Sequence, residues 1–223
     1  MNFKIMMQYQ TKNKQETTFH SDWISGKEIL LIIDDLDKTG RIKTMEIEDE
    51  TGLRWTKKEL KKLLNKIEDE PDEITIYFDG SYNKDTDEAG IGVVLYYRLG
   101  EEIIRHRWNE KIDLIQSNNE AEYIALNFAM ERLYDLHMKR KKIVIKGDSQ
   151  GLLMQLKGEW PCFEENLNRL LDKIEMHVQK LNLIPNYQPI PRGDNKEADQ
   201  LARQALQGVK IESKHVLDKD IEY

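Results

Sequence analysis

Three apolar runs follow one another closely in this chain: ITIYF (74–78), AGIGVVLYY (89–97) and IIRHRW (103–108). They are rich in β-branched and aromatic residues and are separated by short polar or glycine-bearing connections, which predicts antiparallel strands. Two later runs, KIVIKG (142–147) and LIPNYQPIPR (183–192), also read as strands, but each follows a stretch with helical spacing. Residues 119–136 place Ala121, Ala125, Phe128, Ala129 and Leu133 on one helical face, and residues 164–181 do the same with Leu167, Leu170, Leu171, Ile174 and Val178. The order predicts an α/β fold, a mixed five-stranded sheet with its antiparallel part first and helices on both faces.

The first 70 residues have a different rhythm. Residues 1–20 are polar and mixed, and read as a frayed or strand-like arm. Ser25 with Glu28 forms a capping-box pattern ahead of ILLIIDDL, and Gly40 supplies the stop. RIKTMEIEDE alternates as a strand, ETGLRW suggests a hairpin turn, and Thr56 with Glu59 caps a second helix, KKELKKLLNKI, before Pro71. The expected organisation is a small α+β module over 1–70, a larger domain over 73–208 and a charged, mobile tail over 209–223. A module this small is expected to bury little core alone and to pack on the larger domain or a partner.

Four acids in the larger domain stand in local sequences that aim a carboxylate. Asp79 (IYFDGS) and Asp148 (IKGDSQ) each follow an apolar run, which predicts strand ends, and Glu122 (SNNEAEY) and Asp199 (NKEADQLA) lie early in helices. Two strand ends and two helix starts can meet at one pocket, on the edge where open α/β sheets bind ligands. Carboxylates gathered there raise one another's pKa unless a cation offsets them. Mg²⁺ takes oxygen ligands and keeps positions for water and phosphate oxygens. A pair of such ions roughly 4 Å apart is a known clamp for attack on a phosphodiester.

The succession DGS (79–81), NNEAE (118–122), GDSQ (147–150) and NKEADQLA (195–202) resembles the type 1 ribonuclease H family across about residues 73 to 208. The resemblance implies a ribonuclease H-like fold and a metal-dependent endoribonuclease that hydrolyses the RNA strand of RNA/DNA hybrids, leaving a 3′-hydroxyl and a 5′-phosphate. It makes Asp79, Glu122, Asp148 and Asp199 the catalytic metal ligands for two Mg²⁺ ions, with Mn²⁺ a possible substitute. It also places Gly80, Ser81, Asn118, Asn119 and Gln150 at the hybrid. Amide side chains suit a 2′-OH that both donates and accepts. For Asn119 an ordinary helix-capping role is equally open. Arg192 stands where many members carry a loop histidine, and can hold a phosphate but cannot serve as a base. An ion pair with Asp194 or Glu197 is its other reading. The basic helical protrusion of many members is missing, since residues 155–171 hold Lys157 and Arg169 against Glu159, Glu164 and Glu165. Trp160 in that segment reads as a core plug.

Charge sharpens the question. The net charge is −7 with a pI near 5.4, whereas nucleic-acid binders tend to be basic, so weak and salt-sensitive binding is expected unless another module helps. The run KRKK (139–142) reads as a solvated turn. Lys57, Lys58, Lys61 and Lys62 share much of one helix face, open to phosphate contact or plain solvation. Trp23 and Trp55 read as core, and the five histidines as solvated or interface residues. One cysteine, Cys162, excludes an internal disulfide, and neither a secretion signal nor a membrane-length apolar run is present, so a cytoplasmic location is expected. A catalytically weak or inactive nucleic-acid-binding or regulatory protein on the same fold is the second functional reading, supported by the missing histidine, the missing protrusion and the negative charge. A third keeps the fold with another nucleic-acid substrate, as in related exonucleases and transposases.

Overall fold

The computed structural model describes residues 1–68 and 70–217, and the chain divides into two units between Glu70 and Pro71. In the first unit the polar opening segment is strand and not frayed, the strand-like of its two readings. It forms β1 (Asn2–Gln10) and β2 (Glu16–His20), followed by β3 (Ile24–Ser25), α1 (Gly26–Lys38), β4 (Ile42–Asp49), β5 (Arg54–Trp55) and α2 (Lys57–Glu68). The sheet runs β2-β1-β4-β5, with β3 also on β1. Alternation puts Phe3 and Ile5 of β1 into a core with Ile47, Ile29, Ile33, Leu60 and Leu64. Contrary to the expectation from size, this unit closes a buried core of its own.

Of the two expected capping boxes, the one at α2 forms and the one at α1 does not. At α2 the Thr56 backbone N–H donates to Glu59 Oε2 (3.0 Å), while the Glu59 N–H donates to Thr56 Oγ1 (3.3 Å), the reciprocal pattern. At α1 the Ser25 side chain caps no backbone N–H; its Oγ donates instead to Glu28 Oε2 (2.8 Å). Buried Asp49 organises the turn into β5, accepting from Thr51 N (2.8 Å), Leu53 N (3.1 Å) and Trp55 Nε1 (2.8 Å). Trp55 thus packs on the core as expected. Trp23 does not; it is exposed, with Lys4 Nζ 4.5 Å from its ring centroid.

The second unit contains β6 (Asp72–Asn83), β7 (Glu88–Leu99), β8 (Glu102–Asp113), α3 (Asn118–Asp135), β9 (Lys142–Gly147), α4 (Gln150–Leu156), α5 (Glu165–Leu181), β10 (Ile184–Pro189), a 3₁₀ turn (Arg192–Asp194), α6 (Lys196–Leu206) and β11 (Glu212–Leu217). The sheet order is β10-β9-β6-β7-β8-β11, with β9 parallel to β6 and β10 and the other pairs antiparallel. The main core joins the sheet to α3 and α5, and a second cluster joins Val94 to Ala198 and Leu201 of α6. The five expected strands are all present with helices on both faces, and β11 adds a sixth. Among the described residues no helix is long and apolar enough to cross a membrane.

β11 corrects the mobile-tail expectation for residues up to 217; residues 218–223 lie outside the described residues. Its charged, short sequence hides a strand signal, but buried Asn109 fastens it. Asn109 Nδ2 donates to the carbonyls of Leu201 (3.0 Å) and Val209 (2.9 Å), and its Oδ1 accepts from Ile211 N (2.6 Å). Two other expectations also fail. Trp160 is exposed, and Cys162 packs against the core beneath that loop instead. His106 is buried in the sheet, stacked between Tyr97 and Trp108, and burial and then Lys214 lower its pKa to about 4.

Glycines let helices reach the sheet at backbone distance. A methyl group at Gly90 would overlap the Ala202 carbonyl oxygen of α6, and one at Gly92 would lie 2.7 Å from Ala202 N. On the opposite face, one at Gly80 would lie 2.5 Å from Glu122 N and 2.7 Å from Ala121 O of α3. The register pairs Gly80 with Ile91 and Asp79 with Gly92, so α3 and α6 close on opposite faces of neighbouring positions. Overpacking costs typically about 1–3 kcal/mol, and Gly90→Ala is expected to destabilise the second unit by at least about that much, read as a lower urea midpoint. An unchanged midpoint would mean that α6 is not seated on β7 this closely.

Candidate active site

β6 does not stop at Asp79, as its alternation predicted; it continues to Asn83 along β7. What stops is the parallel pairing with β9, whose last pair is Tyr77 with Lys146. Asp148 directly follows β9, so two acids sit where adjacent strands part. Gly80 brings α3 in over this point with Glu122 near its start, and Gly90 and Gly92 bring in α6 with Asp199.

Asp79 and Glu122 sense the acids beside them. Burial first, then the charges of Asp148, Asp199 and Glu122, raise the Asp79 carboxyl from its ordinary 3.8 to about 7. Asp79 is only 6% exposed. Glu122 is also raised, chiefly by burial and further by Asp148, while a hydrogen bond from Ser149 and the charge of Arg192 oppose the rise.

Three of the four acids have a dedicated side-chain neighbour. Asn118 Nδ2 donates to Glu122 Oε1 (3.1 Å), and its Oδ1 accepts from Tyr82 N (3.3 Å), tying the helix to β6. Asn195 is buried; its Nδ2 donates to the Phe78 carbonyl (2.9 Å) and to Asp148 Oδ1 (3.0 Å). Asp199 is held by Arg203, Nε to Oδ2 (3.0 Å) and Nη2 to Oδ1 (3.0 Å), and by Arg192 Nη2 to Oδ1 (3.2 Å). Arg192 therefore pairs with Asp199 rather than with Asp194 or Glu197. Glu197 is engaged by Tyr96 Oη (2.7 Å) and Arg105 Nη1 (3.2 Å).

The other expected site residues divide in two. Asn119, Gln150 and Arg192 are exposed, and the amides of Asn119 and Gln150 have no hydrogen-bond partner among the described residues. Ser81 is half-buried at the same end of β6. Gly80 is buried under the α3 backbone and Asn118 is occupied by Glu122, so the structure gives both a positioning task. Sequence reasoning missed Asn195, Ser149 and Arg203. The signal for Arg203 was present, four residues after Asp199 on one helix face.

Among the described residues no three acidic, histidine or cysteine side chains are gathered closely enough to enclose one ion. The fit to a divalent cation is one of charge and donor chemistry: hard oxygen donors on four elements, one of them driven toward neutrality by burial and by the charges of the others.

A family model described as reverse transcriptase-like matches residues 77–205, which include all four acids. The chain is 44% identical over 202 residues to YpeP of Bacillus subtilis (strain 168), covering 91% of this chain and 89% of that one. Among solved structures, the RNase H1 of the halophilic archaeon Halobacterium salinarum NRC-1 is similar at 28% identity, covering 60% of this chain and 98% of its own, with a TM-score of 0.52. LC11-RNase H1, solved in complex with RNA/DNA hybrid, is similar at 28% identity, covering 61% of this chain and 98% of its own, with a TM-score of 0.53.

In the folded chain Asp79 holds its proton to about pH 7, whereas unfolded it releases it near 3.8. The folded state therefore binds more protons between those values, and stability falls as pH rises through that window. With divalent cations chelated, Asp79→Asn is expected to flatten this fall and to stabilise the fold at pH 8 by about 2–4 kcal/mol. Denaturant titrations across pH 4 to 8 check it, and parallel curves for the two chains would refute it. Asn195→Ala leaves the Phe78 carbonyl and Asp148 without their shared donor, and should cost about 1–3 kcal/mol on the same measurement at pH 7.

Proposed function

Because the chain belongs to the type 1 ribonuclease H family, we propose that it is a metal-dependent endoribonuclease that hydrolyses the RNA strand of RNA/DNA hybrids. The observation that carries this reading is the convergence of Asp79, Glu122, Asp148 and Asp199 from four separate elements, where burial, together with the charges of the other three, raises Asp79 to about 7. A protein that only bound nucleic acid would gain nothing from such repulsion, which is a cost unless cations enter.

Asp79, Glu122, Asp148 and Asp199 are the residues that would hold Mg²⁺, as two ions, with Mn²⁺ able to substitute. When bound, the ions supply an activated water and charge stabilisation on the scissile phosphate. The chain itself supplies the rest. Asn195 fixes the Asp148 carboxylate against β6, and Asn118 and Ser149 orient Glu122. Arg203 holds Asp199 from its own helix, which leaves exposed Arg192 able to exchange Asp199 for a substrate phosphate. The free amides of Asn119 and Gln150 are suited to the 2′-OH that distinguishes RNA from DNA, with Ser81 beside them.

The second reading, a binding or regulatory protein with little turnover, is favoured by one observation: arginines engage both oxygens of Asp199. One assay separates the two. Labelled RNA/DNA hybrid, duplex RNA and single-stranded DNA are incubated with Mg²⁺ or Mn²⁺, with Asp148→Asn as control. The expected result is metal-dependent cutting of the RNA strand of the hybrid alone, leaving 5′-phosphates, and none by the variant. An uncut hybrid at high protein concentration with either metal would establish the second reading.

A further inference from the structure

We propose that the exposed face of α2 in the first unit is a docking surface for the phosphate backbone of nucleic acid. Residues 57–66 hold five lysines against one glutamate in a chain of net charge −7. That glutamate, Glu59, is spent on the capping box with Thr56, and Lys57 is spent on Asp34 (2.7 Å) and Asp37 of α1. The remaining four, Lys58, Lys61, Lys62 and Lys66, are exposed and line one shallow depression with Asn65.

Their spacing places them on one helical face, where like charges three and four residues apart oppose the helix by a few tenths of a kcal/mol per pair. None of the four has an ion-pair partner among the described residues. From Lys58 to Lys66 the helix rises about 12 Å, a length over which a nucleic-acid duplex presents about seven phosphates. The apolar residues of α2 do not share this face: Leu60, Leu63 and Leu64 pack on the unit's own core, and exposed Ile67 stands on the far side of the helix from Lys58. A helix that lies on a membrane would present large apolar residues beside its lysines, which favours a polyanion in solution. The second unit lacks a comparable patch where its family often has one, since Arg169 there is paired with Glu165 and the preceding loop exposes Trp160 and Phe163.

The proposal takes only the class of partner from the proposed function, and its test reads binding rather than cleavage. The full chain bearing Asp148→Asn, which blocks hydrolysis, is titrated into a fluorescent RNA/DNA hybrid with Mg²⁺ over a range of KCl, followed by anisotropy. Replacing Lys58, Lys61, Lys62 and Lys66 together with Gln is expected to weaken binding at least about tenfold at low salt and to make the salt slope shallower by about 3. Replacing the same four with Arg should preserve both. A charge-matched control with Gln at the exposed positions Lys12, Lys14, Lys27 and Lys173 should bind like the parent. Unchanged affinity and slope in the first variant, or an equal loss in the control, would overturn the proposal. So would stripe-dependent capture by anionic lipid vesicles with hybrid binding unmoved. Loss of cleavage by the chain with Asp148 intact would touch the proposed function alone.

Discussion

Two helices rest on the second unit's sheet with no side chain between backbone and backbone. That contact exists only because positions 80, 90 and 92 carry glycine, and it fixes where the acids of both helices stand. A side chain at any of the three would push α3 or α6 outward and take Glu122 or Asp199 away from Asp79. Geometry at the site is thus set by steric permission in the sheet rather than by attraction among the acids, which repel one another. Packed interiors transmit such displacements because they have little free volume.

The repulsion is distributed unequally. Asp199, partly exposed, is neutralised by two arginines, and Asp148 is steadied by a neutral amide. Asp79, the most buried of the four, makes no ion pair among the described residues and bears the combined charge of the others. In the proposed function this asymmetry would let cations enter at the centre and substrate meet the rim, where Arg192, Asn119 and Gln150 are exposed.

Much of this was legible in the sequence because it rests on periodicity. The runs 74–78, 89–97 and 103–108 announce strands by composition, the 3.6-residue spacing of leucines and alanines announces α3 and α5, and the four acids stand at recognisable junctions. The end of β6 was misjudged because Asp79-Gly80 reads as a turn, whereas Gly80 serves helix packing within a continuing strand. Trp160, Trp23 and His106 were misplaced because a residue's type gives only its average burial, while its neighbours decide the actual one. Asn195 was invisible as an anchor for Asp148, since a residue that opens a helix ordinarily serves that helix alone. β11 could not be found locally at all: its partner lies in β8, and its pairing is secured through Asn109.

That long separation affects how the chain comes to be folded. Arg107 and Ser213, which meet across β8 and β11, are 106 residues apart in sequence. Synthesis runs from the N-terminus and elements fold as they appear. β6, β7 and β8 can zip together early through short turns, while the outer edge of β8 waits for its partner. For that interval the growing chain presents an unpaired strand edge, a template for joining other chains. The charged residues that disguise β11 as a tail therefore stand on the sheet's final outer edge, where charge discourages further pairing once β8 is covered.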